Sequence, residues 1–248
     1  VKKILFAGLL LLTIFGCGKE KGKVTIFLAG DSTVANKPYR EGNPEKGWGQ
    51  VLPLYFKKGV VVDNHAVNGR STKSFIDEGK WDSLISMVKS GDYVFIEFGH
   101  NDAKISDSTR YAAADGAYSD NLRRFVADVR AKEATPVLLS PIMRRRFDDK
   151  RAFYDTHGGY PDAVRSVAEE LDVVLIDLHK STQTMLVSFG EEASKKLFLH
   201  IDTNEYAHLD KPLVDDTHLS AYGAFKVADM LAAAIKRELP ELAAYLKE

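Results

Sequence analysis

Short, nearly uninterrupted apolar runs recur along this chain, separated by stretches in which apolar residues return every three or four positions. The runs are Val24–Ala29, Val60–Asn64, Tyr93–Phe98, Pro136–Leu139 and Val173–Ile176, all rich in β-branched and aromatic residues. Continuous hydrophobicity over so few residues suits strands covered on both faces, as in a parallel sheet. Leu122, Phe125, Val126 and Val129 follow helical spacing, as do Val164, Val167, Ala168 and Leu171, and later Ala224, Val227, Ala228, Leu231 and Ile235. These stripes are read as core faces. Strands alternating with helices predict a three-layer α/β/α sandwich, doubly wound around a parallel sheet of about five strands. Right-handed crossovers leave few topologies, of which the order 2-1-3-4-5 is favoured. The irregular stretches Asn36–Gly47 and Lys104–Gly116 read as rim loops of one domain covering residues 24–248.

The first residues follow a different pattern. Lys2 and Lys3 precede an apolar stretch from Ile4 to Phe15, interrupted at Gly8 and Thr13. A bilayer span needs about 20 residues, so this segment reads as a secretory signal. Cys17, the one cysteine, follows Gly16 in a manner that resembles a bacterial lipoprotein cleavage site, although Phe15 is bulkier than is usual there. The expectation is a lipoprotein-type signal peptide over residues 1–17, lipidation at Cys17, and a charged tether over 18–23. The alternatives are an ordinary secretory signal or a core helix. Either form of export places the protein in the periplasm or at the outer membrane or surface of a bacterium, touching membrane only through a lipid anchor. A single cysteine rules out an intramolecular disulfide.

Composition narrows the partners. With 45% hydrophobic residues among 248, the chain can fill a three-layer core. Lys plus Arg (34) balances Asp plus Glu (35), which gives no support to nucleic-acid binding or a polybasic membrane surface.

The first apolar run ends in Gly30-Asp31-Ser32-Thr33. A serine at the mouth of a parallel sheet becomes a nucleophile when a base takes its proton. If the next segment starts a helix, its unpaired N–H groups favour a developing oxyanion; alternatively Asp31 or Ser32 merely caps that helix. His218 supplies a base: it lies three residues after Asp215, close enough for the carboxylate to reach ring Nδ1–H and leave Nε2 for the serine. Asp216 is the second choice of orienting acid. His65, His157, His179, His200 and His208 lack this setting and read as structural or surface groups. Gly69 and Asn101, beyond the second and third runs, could donate to an oxyanion together with the Ser32 N–H; on the plainer reading they are a turn glycine and a local cap.

The order of these pieces resembles the SGNH (GDSL-type) hydrolase family over essentially the whole mature chain. More narrowly, Gly30-Asp31-Ser32-Thr33-Val34-Ala35, Gly47-Trp48-Gly49-Gln50, Asn68-Gly69-Arg70-Ser71, Phe98-Gly99-His100-Asn101-Asp102 and Asp215-Asp216-Thr217-His218 resemble the rhamnogalacturonan acetylesterase group, carbohydrate esterase family 12. That resemblance implies Ser32 as nucleophile, His218 as base, Asp215 as orienter, and an oxyanion hole from Ser32, Gly69 and Asn101. It implies no metal and no cofactor, and the same strand order.

The expected activity is removal of O-acetyl groups from acetylated rhamnogalacturonan through an acetyl-enzyme, by a monomer. Trp48, Arg70, His100 and Arg144 are candidate substrate contacts, with Tyr39 and Tyr111 as further rim aromatics. Arginine forks suit the carboxylates of an acidic pectin backbone. The bland alternatives are a tryptophan packed under its loop and an Arg144–Arg146 run paired with Asp148 and Asp149. Rival functions are an acetylxylan or general short-chain carbohydrate esterase, a lipase or thioesterase, a metal-dependent phosphoesterase using Asp31, His100, Asn101, Asp102, Asp215 and His218, and a non-catalytic sugar-binding lipoprotein.

Overall fold

The computed structural model describes residues 24–39, 43–203, 205–206 and 209–247. The proposed signal, Cys17, the tether and His208 lie outside these residues. In chain order the elements are β1 (Val24–Gly30), α1 (Trp48–Val51), β2 (Val60–Asn64), α2 (Thr72–Asp77), α3 (Lys80–Met87), β3 (Tyr93–Glu97), α4 (Ser119–Arg130), β4 (Thr135–Leu139), α5 (Tyr160–Glu170), β5 (Val174–Ile176), α6 (Leu178–Ser194), β6 (Phe198–Ile201), β7 (Leu213–Leu219), α7 (Ala221–Glu238) and α8 (Pro240–Ala243). The first five strands form one sheet in the order β2-β1-β3-β4-β5, with every pair parallel. Fold class and strand order therefore match the sequence expectation.

Strand periodicity sorts the core into two halves. Ile26 and Leu28 of β1, Phe95 of β3 and Val137 of β4 face Leu186 of α6 and Val227, Leu231 and Ile235 of α7. Phe27 and Ala29, Val94 and Ile96, and Leu138 face the other way, onto Phe75 of α2, Trp81 and Leu84 of α3, Phe125 of α4 and Val164 of α5. Each large side chain so buried is worth roughly 1.5–3 kcal/mol relative to exposure. Parallel pairing of β1 with β2 and with β3 brings the ends of the three strands to a common edge.

Two local features differ from the expectation. No helix follows Ser32: residues 32–35 form a single turn, in which the Val34 and Ala35 N–H groups donate to the Asp31 carbonyl at 3.3 and 3.0 Å. Asn64 Nδ2 takes the Val34 carbonyl at 2.9 Å, removing it from any helical ladder, and Pro38 disfavours helix at Lys37. Second, Asp215 and His218 lie on β7, which pairs antiparallel with β6 as a separate two-stranded sheet. Phe198 pairs with Leu219 but the next residue, Leu199, pairs with Asp215, so residues 216–218 bulge out of the ladder.

α7 locks this hairpin in place. Leu197 O accepts the Ser220 N–H at 3.1 Å, and a Cβ on Gly223 would lie 1.9 Å from the same oxygen. Gly223→Ala is expected to lower unfolding free energy by about 1–3 kcal/mol, the usual range for overpacking, as read from urea denaturation. Wild-type stability in that variant would show that α7 and the hairpin do not meet as closely as described.

Candidate active site

Gly30 closes β1 beside Glu97 of β3 in the parallel register. A side chain at Gly30 would meet Val34 Cγ2 at 2.6 Å and the Glu97 carbonyl at 3.0 Å, so only glycine permits this exit. Asp31 then folds back: its Oδ1 accepts from the Thr33 N–H and from Thr33 Oγ1, both at 2.9 Å. That turn presents Ser32, nearly buried, at the sheet edge.

The histidine beside Ser32 comes from the other end of the chain. The bulge in β7 lets Asp215 Oδ1 accept the Thr217 and His218 N–H groups at 2.7 and 3.0 Å. Asp215 Oδ2 lies 2.7 Å from His218 Nδ1, and His218 Nε2 lies 2.9 Å from Ser32 Oγ. Burial pushes the Asp215 carboxyl up, but the hydrogen bonds from the His218 ring and from the two backbone donors overcome it and hold the group well below the ordinary carboxylate range. The hydrogen bond to Asp215 raises the His218 pKa above 6.5, outweighing partial burial. The three side chains can accept a serine proton, stabilise the resulting imidazolium and return the proton to a leaving group.

Asp216 points elsewhere. Its carboxylate takes Arg145 Nη1 at 2.8 Å, Arg146 Nη1 at 2.9 Å and His200 Nε2 at 2.7 Å. The two arginines thus pair with Asp216, while Asp148 accepts the Lys150 and Ala152 N–H groups of its own turn. This network pins the bulge from behind.

The oxyanion candidates gather at the same edge. The Val67 N–H donates to the Gly30 carbonyl at 3.0 Å, docking the loop that carries Gly69, whose φ is +75°. Asn101 spends one of its amide N–H groups on the Arg70 carbonyl, at 3.0 Å. A buried lysine absent from the sequence reading, Lys37, ties the rim together: its Nζ lies 2.7 Å from Glu45 and 2.6 Å from Asn68 Oδ1. An isolated lysine before a proline carries no signal of that role in sequence.

The tentative substrate contacts separate. Trp48 and His100 are buried, and each is already bonded, Trp48 Nε1 donating to Glu97 at 2.7 Å and His100 Nε2 lying 2.9 Å from the Ile142 carbonyl. Neither has a face open to a sugar, which corrects the expectation for both: they brace the floor of the site. Arg70 spends its fork on Glu78 and on the Asn68 carbonyl, so it is not a free carboxylate clamp. Arg144 stays half-buried beside the site, with Nη2 on the His100 carbonyl at 3.1 Å and Nη1 on Thr156 Oγ1 at 3.3 Å. Lys104 stands near Arg110 and Arg144, and burial together with those two cations lowers its pKa. Tyr39 is exposed and Tyr111 half-buried. A groove of about 730 Å³ runs from Gly69 along Arg70, Lys73, Asp107, Thr109 and Arg110.

Asp155, His157 and His179 offer donor atoms within 4.8 Å of one another. Asp155 already bridges the two rings, at 2.8 Å to His157 Nδ1 and 3.1 Å to His179 Nε2. Arg165 Nη2 faces His179 Nδ1 at 3.3 Å, which favours the ring proton on Nε2 and makes that nitrogen a donor to Asp155 rather than a lone pair for a cation. The Asp155 carboxylate and the His179 ring are thus committed to one another, while His157 Nε2 is buried with no hydrogen-bond partner among the described residues.

An α/β/α sandwich with a serine, histidine and aspartate aligned at the strand ends is the architecture of an ester hydrolase. The sequence profile of the GDSL-like Lipase/Acylhydrolase family matches residues 28–224, and the chain belongs to that family and is a carboxylic ester hydrolase. It is 40% identical over 216 residues to rhamnogalacturonan acetylesterase RhgT of Bacillus subtilis, covering 87% of this chain and 91% of that protein. It is 32% identical over 224 residues to the probable rhamnogalacturonan acetylesterase YesY of the same organism, covering 90% and 98%. The crystal structure of Bacillus subtilis YxiM superposes with a TM-score of 0.73 at 27% identity, covering 87% of this chain and 56% of that one.

Because Asp215 raises the His218 pKa, the acid limb of kcat/KM should lie above pH 6.5 in the wild type, with activity lost as pH falls through it. Asp215→Asn should move that limb down and cut kcat by roughly 10³–10⁴-fold. A pH–rate series on p-nitrophenyl acetate checks both; an unmoved limb would remove Asp215 from the orienting role.

Proposed function

We propose that this protein is a serine esterase that removes O-acetyl groups from rhamnogalacturonan. The hydrogen-bonded run Asp215–His218–Ser32, at 2.7 and 2.9 Å, is the observation that carries the chemistry. His218 takes the Ser32 hydroxyl proton while Oγ bonds to the acetyl carbonyl carbon. The carbonyl oxygen becomes an oxyanion, received by the Ser32 and Gly69 N–H groups and the remaining Asn101 amide hydrogen. The carbon–oxygen bond to the sugar breaks as His218 returns its proton to the sugar oxygen, leaving acetyl on Ser32. Water then attacks with His218 as base, releasing acetate and restoring the serine. Losing one oxyanion donor should cost about 2.7–4 kcal/mol of transition-state stabilisation.

The substrate reading rests on the 40% identity to an enzyme of that name and on the cations at the rim. Arg144 makes no ion pair among the described residues, although Asp31 and Asp155 act on it at longer range, and Lys104 feels Arg110 and Arg144 more strongly than Asp107 and Asp31; an anionic sugar would relieve the cationic part of that field. These replace Arg70 as the residues aimed at a uronate carboxylate. Glycosidic chain length is accommodated by the groove beginning at Gly69. The reading includes a monomer, with one domain over residues 24–248. It also includes export, by way of the charged and apolar pattern of residues 2–15 and lipidation at Cys17. Among the described residues no helix is long and apolar enough to cross a membrane.

Acetate release from acetylated rhamnogalacturonan, acetylated xylan and p-nitrophenyl acetate tests the reading. Ser32→Ala should abolish release from all three. Arg144→Ala should raise KM for the pectin substrate by roughly 10–100-fold, the worth of one charged hydrogen bond of about 1.5–3 kcal/mol, and leave p-nitrophenyl acetate unaffected. Release from xylan but not from pectin would overturn the substrate; release by Ser32→Ala would overturn the mechanism.

A further inference from the structure

Beneath Ser32 lie three carboxyl side chains, Asp31, Glu97 and Asp102, each almost wholly out of contact with water. Three anions cannot share so small a dry volume without compensation. Asp31 has some: Thr33 donates to Oδ1 twice, and His100 Nδ1 faces Oδ2 at 3.5 Å. Asp102 has the Thr72 N–H and hydroxyl on Oδ1. Glu97 has two donors, Trp48 Nε1 at 2.7 Å on one oxygen and the Ile142 N–H at 3.2 Å on the other. Among the described residues no cation pairs with it.

The third neighbour of Glu97 decides its state. Thr33 Oγ1 lies 3.3 and 3.2 Å from the two Glu97 oxygens and 2.9 Å from Asp31 Oδ1. Thr33 has one hydroxyl hydrogen, and the shorter contact assigns it to Asp31. Threonine then meets Glu97 with a lone pair, which an ionised carboxylate would repel and a carboxylic acid would use.

We propose that Glu97 is a positioning residue for Ser32, holding a proton that it donates to Thr33 Oγ1, so that the Thr33 hydroxyl stays turned onto Asp31 and the turn bearing the nucleophile is fixed. This rests on the reading of Ser32 as nucleophile. Burial, and then the charge of Asp31, push Glu97 up to about 8, so the proton is in place at neutral pH. The titratable groups around it are Asp31 on the turn after β1, Asp102 and His100 on the loop after β3, and Tyr118 just before α4. Asp102 is pushed up to about 7, chiefly by burial, and is the group to separate from it. When Glu97 ionises, Thr33 has two anions competing for one hydrogen, and the turn loses its single arrangement.

A Ser-His-Asp esterase by itself has only an acid limb, since its histidine must be neutral to act. Glu97 adds an alkaline one. The kcat of the wild type on p-nitrophenyl acetate, corrected for spontaneous hydrolysis, should fall above pH about 8, approaching tenfold per pH unit. Glu97→Gln keeps a donor to Thr33 at every pH but sets its NH2 against one N–H donor, that of Ile142 in the longer of the two bonds, so it should lower activity evenly across pH, lose this limb and keep more activity than Glu97→Ala. Asp102→Asn should leave the limb in place. Thermal midpoints supply a readout free of catalysis. A carboxyl whose pKa is 4.5 unperturbed and about 8 in the fold gives stability that is full below 4.5 and is lost as pH rises to about 8. Glu97→Gln should remove that part of the pH slope. An alkaline limb that survives Glu97→Gln, or a Glu97→Gln protein folded but as inactive as Glu97→Ala, would overturn the positioning role. An unchanged thermal slope would overturn the proton. If no variant, wild type included, hydrolyses an ester, the esterase reading fails and the thermal series alone decides whether Glu97 holds its proton.

Discussion

β1 is paired in parallel on both sides, to β2 and to β3, and the site depends on that placement. Parallel neighbours end at one edge, so the turns after Gly30, Asn64 and Glu97 emerge side by side. The strand order reverses at β1, with β2 on one flank and β3 on the other, so their loops diverge and open a crevice between them. Ser32, Gly69 and Asn101 stand around that crevice because each lies a few residues beyond one of these three strands.

Close approach there has a physical cost. Gly30 must be glycine for Val34 to pack over it, and the tight turn draws Asp31 fully out of water. Glu97 and Asp102 lie buried alongside. Donors from Thr33, Thr72 and Trp48 stabilise this acidic floor, with the His100 ring facing Asp31 at 3.5 Å. The turn bearing Ser32 is held by the two Thr33 bonds to Asp31 Oδ1, while Asp31 Oδ2 and Asp102 Oδ2 find no hydrogen-bond partner among the described residues, so loss of one buried donor would leave a carboxylate with still less to compensate it.

His218 arrives on an independent support. A bulged hairpin, outside the main sheet, carries Asp215 and His218, and α7 and the Asp216–Arg145 pair clamp it from two sides. Ser32 and His218 are 186 residues apart in sequence and 2.9 Å apart in space. Their alignment depends on how the hairpin seats against the sheet layer, and the contacts of Ser220 and Gly223 with Leu197 hold that seat.

Local pattern determined the five strands of the main sheet and the helical stripes of α4, α5 and α7, because apolar periodicity acts over short stretches of chain, while crossover handedness narrowed the strand order to a few choices that included the observed one. Gly30-Asp31-Ser32 and an acid–histidine pair at residues 215–218 were legible as motifs because each lies within a few residues of chain. Tertiary structure decided the rest. No spacing distinguishes Asp215 from Asp216; three long-range partners turn the second away. Trp48 and His100 have the composition of a sugar site, yet packing puts both beneath it. Glu97 falls inside the apolar run Tyr93–Phe98, and only the fold brings Thr33, Trp48 and Ile142 around its carboxyl. Burial and charge pairing between distant segments are properties of the assembled layers, and a linear pattern carries no record of them.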